Sequence, residues 1–76
     1  MEKYGVVLFH SQSSAFRAEK ILLKAGIECR LIPIPRSLSS DCGVAARFEW
    51  ARVADVERAL NAADVEIQGI HPMPSR

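Results

Sequence analysis

The chain has 76 residues, of which 49% are apolar, and a formal net charge of +1. A chain of this length has room for one domain, which we expect to span residues 1–76. The near-neutral charge provides no large basic field for nucleic acid or for an anionic membrane. Charged side chains recur through residues 2–24, so we expect no signal peptide and no membrane span, and we expect a cytoplasmic location.

The first half of the chain predicts a strand, a helix and a second strand. Residues 4–10 form a short run of apolar, β-branched and aromatic side chains, which is typical of a buried strand. Serines that can cap a helix follow, and then apolar residues at helical spacing lead up to Gly26, so a helix is predicted over residues 13–25. Residues 27–34 predict a second strand. Pro33 lacks a ladder donor, which places this strand at a sheet edge or ends it there.

The second half of the chain predicts a strand, a helix and a last strand. A polar loop over residues 35–41 precedes a strand over 43–50, a helix over 52–63 and a strand over 65–71. The order β-α-β-β-α-β is that of the α+β ferredoxin-like fold, a four-stranded antiparallel sheet with two helices on one face. Right-handed crossovers place the third strand between the first two, so the expected sheet order is 4-1-3-2.

This topology brings His10 and Cys42 to one edge of the sheet, because His10 ends the first strand and Cys42 precedes the neighbouring third strand. The first helix begins at the same edge, where its N–H groups and positive dipole end favour an anion. Arg36 shares a loop with Cys42, and Gly43 permits a sharp turn or a close approach. Each feature favours a thiolate at Cys42. The alternative is that Cys42 is a small apolar residue with a structural role.

Geometry argues against a disulfide between Cys29 and Cys42. If residue 34 lies opposite residue 43 in a hairpin, Cys29 lies opposite about Phe48 and roughly 20 Å from Cys42, at about 3.3 Å per residue. A disulfide requires Cα atoms within about 7 Å. Cys29 is therefore predicted to be a core residue of the second strand. The chain has no Cys-x-x-Cys and no paired histidines, so we expect no metal site and no cofactor.

The basic residues of the predicted hairpin do not indicate a nucleic-acid partner. Arg30 and Arg47 fall opposite one another, which is unfavourable unless an anion, or a carboxylate such as that of Glu28 or Glu49, lies between them. The ferredoxin-like order also occurs in RNA-recognition modules. The third strand lacks the basic-glycine-aromatic motif of those modules, so we expect no RNA binding.

The loop before Cys42 resembles that of the selenium/sulfur carrier-like domain family. The family pattern is a hydrophobic pair, Pro-x-Pro-Arg, a small polar loop, Cys-Gly and a basic residue, and it is matched here by residues 31–36 (LIPIPR), 37–43 (SLSSDCG) and Arg47. The opening is similar too, with a strand ending in residues 9–11 (FHS) and a helix that bears Ala15, Glu19 and Lys20. The resemblance covers nearly the whole chain, and is closest over residues 4–48.

The resemblance implies a carrier, more a non-enzymatic protein than an enzyme, in which Cys42 holds sulfur or selenium as a persulfide or selenosulfide. Sulfur-relay proteins and cysteine desulfurases are the implied partners, and Cys42 hands the chalcogen on to a partner thiol. Supporting roles are expected for residues that the motif or the topology places near Cys42: positive charge, hydrogen bonds to the outer sulfur, close approach of a partner and acceptance of the thiol proton. These residues are Arg36, Ser39, Ser40, Gly43, Arg47 and His10.

Two other functions fit the same residues. The chain can be a small regulatory or protein-interaction module with a non-catalytic Cys42, or a thiol enzyme with a small-molecule substrate of its own, which requires a concave pocket. The sequence does not decide between sulfur and selenium, and it leaves the donor, the acceptor and the oligomeric state open.

Overall fold

The computed structural model describes residues 3–35, 38 and 42–73. The elements in chain order are β1 (Tyr4–Leu8), α1 (Gln12–Lys24), β2 (Cys29–Pro33), β3 (Val44–Glu49), a 3-10 turn (Trp50–Arg52), α2 (Val53–Ala62) and β4 (Gly69–Pro72). The four strands of this described part form one sheet in the order β2-β3-β1-β4, and every neighbouring pair is antiparallel. This order confirms the ferredoxin-like α+β fold and the expected 4-1-3-2 arrangement, with β2 and its Pro33 at an edge.

Helix α1 has a defined cap at each end. The Ser11 hydroxyl accepts a hydrogen bond from the Ser14 backbone N–H at 3.2 Å, which satisfies one of the first amides of the helix. At the other end Gly26 has φ +81°, a conformation that glycine adopts without strain. The Ile27 N–H then donates to the Leu22 carbonyl at 2.8 Å, as in a Schellman motif. The predicted helix is confirmed, with its start one residue earlier.

Helix α2 begins after the single 3-10 turn and is shorter than predicted at both ends. In its first turn the Arg52 Nε donates to the Asp55 carboxylate at 2.7 Å. This hydrogen bond holds the pKa of Asp55 below its usual range, helped by the positive charges of Arg52 and Arg58. Neither helix among the described residues has the length and apolar character needed to cross a bilayer.

Strand β4 begins four residues later than predicted, because the residues before it close the end of α2 and connect it to the sheet. The Val65 N–H donates to the Leu60 carbonyl at 3.0 Å, so Val65 closes the end of α2 and lies buried in the core. The main chain first reaches β1 at Gln68, whose N–H donates to the Leu8 carbonyl at 2.6 Å. Pro72 is the last residue of the strand and pairs with Gly5.

The sheet has a different cover on each face. The helices pack on the face that presents Val7, Phe9 and Phe48, which belong to the larger apolar core. The opposite face carries a smaller cluster of Val6, Leu8 and Ala45. Four partly buried residues pack against that cluster, and two of them lie between β2 and β3; the four are Ile32, Ile34, Leu38 and Met73.

Candidate functional site

Cys42 lies at the end of the sheet where β1 stops, β3 starts and α1 begins. Its side chain is half-buried and packs against the helix-side core. The Gln12 side chain, in the first turn of α1, donates from Nε2 to the Cys42 carbonyl at 3.4 Å. His10 is exposed and lies between the end of β1 and the cap residue of α1. The structure thus places His10 and Cys42 at one end of the sheet, as the element order predicted.

The thiol of Cys42 has a backbone acceptor close by. Its Sγ donates to the Val44 carbonyl at 3.2 Å, two residues further along the chain. A carbonyl oxygen accepts a hydrogen bond from the thiol and offers no donor to a thiolate. This hydrogen bond must therefore break before the sulfur acts as a nucleophile.

Gly43 makes the turn that follows Cys42. Its φ is +77°, and a Cβ built on it would have no heavy atom within 4 Å among the described residues. The glycine is therefore required by the backbone conformation and not by lack of space. Ile34 donates from its backbone N–H to the Gly43 carbonyl at 3.1 Å, which closes the β2–β3 hairpin in the predicted register. None of the described residues therefore crowds the main chain next to Cys42.

Three of the predicted supporting residues, Arg36, Ser39 and Ser40, lie outside the described residues. Their roles as a source of positive charge and as hydrogen-bond donors to sulfur stay predictions. The one described residue of this stretch is Leu38, which packs on the helix-free face of the sheet. Leu38 and Cys42 thus pack against opposite faces of the sheet.

Arg47 lies on a different surface from Cys42. It is five positions further along β3, roughly 16 Å at 3.3 Å per residue, and it alternates onto the helix-free face beside Val6. Its guanidinium carbon lies 4.6 Å from the centroid of the Tyr4 ring, which is a cation–π contact. The structure does not bring Arg47 to Cys42, and a supporting role for it there stays a prediction.

Arg47 pairs with Arg30 across the hairpin, as predicted. The two carboxylates expected to lie between them, Glu28 and Glu49, line the same shallow pocket of about 110 Å³, which also includes Tyr4 and Cys29. Within residues 3–35, 38 and 42–73, however, only Asp55 forms ion pairs, with Arg52 and Arg58. Among these residues, the two carboxylates share a pocket with Arg30 and Arg47 and form no direct ion pair with them.

Cys29 sits in a setting that suppresses thiol chemistry. It lies opposite Phe48 in β2, as predicted, and no disulfide joins it to Cys42. Its Sγ is half-buried, 3.9 Å from the Glu19 carbonyl oxygen. Burial raises the pKa of the Cys29 thiol to about 11, and the negative charge of Glu19 adds to the effect. At neutral pH this thiol stays protonated.

Sequence reasoning missed two contacts of Cys42, those with Gln12 and with the Val44 carbonyl. Gln12 had a detectable signal, since a polar residue in the first turn of α1 lies at the edge where the topology places Cys42. The carbonyl acceptor had none, because it depends on the local path of the main chain. Among the described residues, no three histidine, cysteine or carboxylate side chains lie close enough together to hold a metal ion.

A family model with the description "Putative Se/S carrier protein-like" matches residues 4–72. The match includes every strand and both helices, together with Cys42 and the loop before it. No curated protein and no solved structure gives a significant match.

Proposed function

The chain belongs to the Se/S carrier-like family, and from this we propose that Cys42 carries sulfur or selenium as a persulfide or selenosulfide and hands it to a partner thiol. The observation that supports this assignment is the contrast between the two cysteines. Cys42 lies on a turn next to Gly43, which no described residue crowds, whereas Cys29 is held in the sheet as a neutral thiol. A carrier needs one accessible sulfur, and Cys42 has the more suitable position.

The proposed reaction is a transfer of sulfane sulfur between thiols. The Cys42 thiolate attacks the outer sulfur of a donor persulfide, the donor S–S bond breaks, and the donor leaves as a thiolate. Cys42 then bears the persulfide. In the second step an acceptor thiolate attacks the outer sulfur and releases Cys42 as a thiolate. Neither step requires an oxidant or a reductant, because one S–S bond forms as another breaks.

Residues around Cys42 supply what these steps require. His10 is exposed at the same end of the sheet and is suited to take up the thiol proton once the bond to the Val44 carbonyl breaks. The start of α1 contributes the positive end of its dipole next to the anionic sulfur. Arg36, Ser39 and Ser40 are proposed to add charge and hydrogen bonds. A sulfur-relay protein or a cysteine desulfurase is the proposed partner, and the cytoplasm the proposed location.

Loading of single-cysteine variants tests this proposal. Wild type, Cys42→Ser and Cys29→Ser are incubated with inorganic polysulfide, and the intact mass of each is measured before and after reduction. We expect a reducible gain of one sulfur in wild type and in Cys29→Ser, and none in Cys42→Ser. A gain that persists in Cys42→Ser and disappears in Cys29→Ser would overturn the assignment.

A second function, a protein-interaction module with a structural Cys42, is favoured by the hydrogen bond from Cys42 to the Val44 carbonyl and by its packing on the core. For such a module the same loading experiment gives no adduct at either cysteine. Cys42→Ser then lowers the free energy of unfolding and changes no sulfur chemistry.

A further inference from the structure

The outward face of α1 exposes two large apolar side chains. The inward face packs on the sheet through Ala15, Ala18 and Leu22. On the opposite face Phe16 is 55% exposed and Leu23 is 53% exposed. Seven residues make nearly two helical turns, so these two side chains lie on one face, about 10 Å apart along the axis.

The exposed charged side chains of α1 are all cationic. They are Arg17, Lys20 and Lys24. Lys20 lies between Phe16 and Leu23 along the helix, whereas Arg17 donates to the Ala63 carbonyl at 2.9 Å, on the side of α2. Glu19, the carboxylate residue of α1, is half-buried and borders the face of Phe16 and Leu23 on the side next to Cys29. The exposed positions of α1 thus combine apolar and cationic side chains. Exposed positions of α2 carry mixed charge instead, with Glu57 beside Arg58.

This face of α1 is continuous with the site at Cys42. Gln12 lies one turn before Phe16 on the same side of the helix, and its amide donates to the Cys42 carbonyl at 3.4 Å. From Gln12 to Leu23 the surface extends about 16 Å along the axis. A protein seated on this surface therefore reaches the turn that holds Cys42.

We propose that the protein that donates sulfur to Cys42 docks on the outward face of α1, which is centred on Phe16 and Leu23 and flanked by Lys20 and Lys24. The matching surface on that partner is an apolar depression bordered by aspartate and glutamate. This inference rests on the proposed carrier function and names the chemistry of its partner. Carboxylates on the partner complement the lysines and speed association. A second copy of this chain is a poorer occupant, because a two-fold axis would bring like charges together.

Comparison of a protein donor with a small-molecule donor tests the inference. The protein donor is a cysteine desulfurase supplied with free cysteine, and the small donor is inorganic polysulfide. The variants are Phe16→Ser/Leu23→Ser and Lys20→Glu/Lys24→Glu, with Lys3→Glu/Arg30→Glu as the control that reverses two exposed charges elsewhere. Loading of Cys42 is followed by intact mass against time.

We expect both α1 variants to accept sulfur from the desulfurase at least about tenfold more slowly, since burial of one large apolar side chain is already worth that much. Loading from polysulfide should stay within about twofold of wild type, as should every rate of the control. The wild-type rate with the desulfurase should fall as salt is added.

Three results would overturn the inference. The α1 variants could keep the wild-type rate with the desulfurase, or wild type could load from polysulfide and not from the desulfurase. Binding to phosphatidylglycerol vesicles that depends on Phe16 and Leu23 would instead assign the surface to a membrane. Wild type that loads from neither donor refutes the carrier function itself, which separates that failure from the failure of the docking surface.

Discussion

Two cysteines on the same side of one sheet have different surroundings. Cys29 lies within β2, opposite Phe48, and burial keeps it neutral. Cys42 lies on a turn outside the strands, next to a glycine with φ +77°. Because the thiolate is the reactive form of cysteine, the molecule contains its own control for any thiol chemistry assigned to Cys42.

The raised pKa of Cys29 predicts that, in a Cys42→Ser background, its thiol becomes reactive to alkylation only at high pH. With a pKa of about 11 in place of the usual 9.0, alkylation by iodoacetamide should keep rising well past pH 9 and level off only near pH 11. The folded protein also holds this proton more tightly than the unfolded chain. The free energy of unfolding should therefore fall between pH 9 and pH 11, and fall less in Cys29→Ser.

Circular dichroism at each pH is the control for that experiment, since an unfolded chain would expose Cys29 and give an ordinary thiol. Rapid alkylation of Cys29 at neutral pH in the folded protein would contradict its assignment as a withdrawn core residue.

At this scale the predicted hairpin register placed Cys29 opposite Phe48, and the structure confirms it. The role that the motif assigns to Cys42 stays a prediction. The bond from Cys42 to the Val44 carbonyl was not predictable, since a main-chain acceptor leaves no mark in residue identity. The placement of Arg47 on the far face follows from strand alternation, because residues five apart in an extended chain point to opposite sides.

At the scale of elements, β1 packs closely against the 3-10 turn at Gly5. A Cβ on Gly5 would lie 2.8 Å from Phe48 Cζ and closer still to Trp50 Cε3. The Phe48 and Trp50 rings stack with centroids 6.0 Å apart and so fill the space that a side chain at position 5 would need. The packing of these two rings, where β3 leads into the 3-10 turn, therefore requires a glycine at position 5 of β1.

Gly5→Ala should destabilise the protein by about 1–3 kcal/mol, because the added methyl group forces two packed aromatic rings to move. Gly69→Ala is the matched control in β4. There the nearest atom to a new Cβ is His71 Nε2 at 3.0 Å, which belongs to an exposed side chain that can turn away. Urea unfolding followed by tryptophan fluorescence and circular dichroism measures both. Equal losses for the two variants would contradict the packing argument.

Helix signals were the most reliable feature of the sequence at the level of elements. A capping serine and a terminal glycine bracket α1 because both satisfy backbone groups of the helix locally, within a few residues. The start of β4 was wrong because Val65, an apolar residue suited to a strand, bonds back to Leu60 at the end of α2. The pattern of apolar residues does not show whether such a residue ends the helix or starts the strand, because that depends on the tertiary structure.

The whole molecule separates two surfaces on opposite sides of the sheet. Cys42 and the outward face of α1 belong to the helix side, whereas Arg30, Arg47 and Tyr4 belong to the helix-free side. Element order and the handedness of crossovers predicted this sheet correctly. The cover that Leu38 gives to the helix-free face was not predicted, because a loop read as polar contributes one apolar residue to a second small core.

The most direct test of the carrier function is the transfer of labelled sulfur out of Cys42. Cys29→Ser is loaded with isotopically labelled polysulfide and freed of excess reagent, and a thiol-containing acceptor protein is then added. Intact mass follows both chains. The account predicts that the label leaves Cys42 as it arrives on the acceptor cysteine, with unmodified thiol regenerated at Cys42. An adduct that forms and is not passed on, or no adduct at all, would contradict a carrier role for this protein.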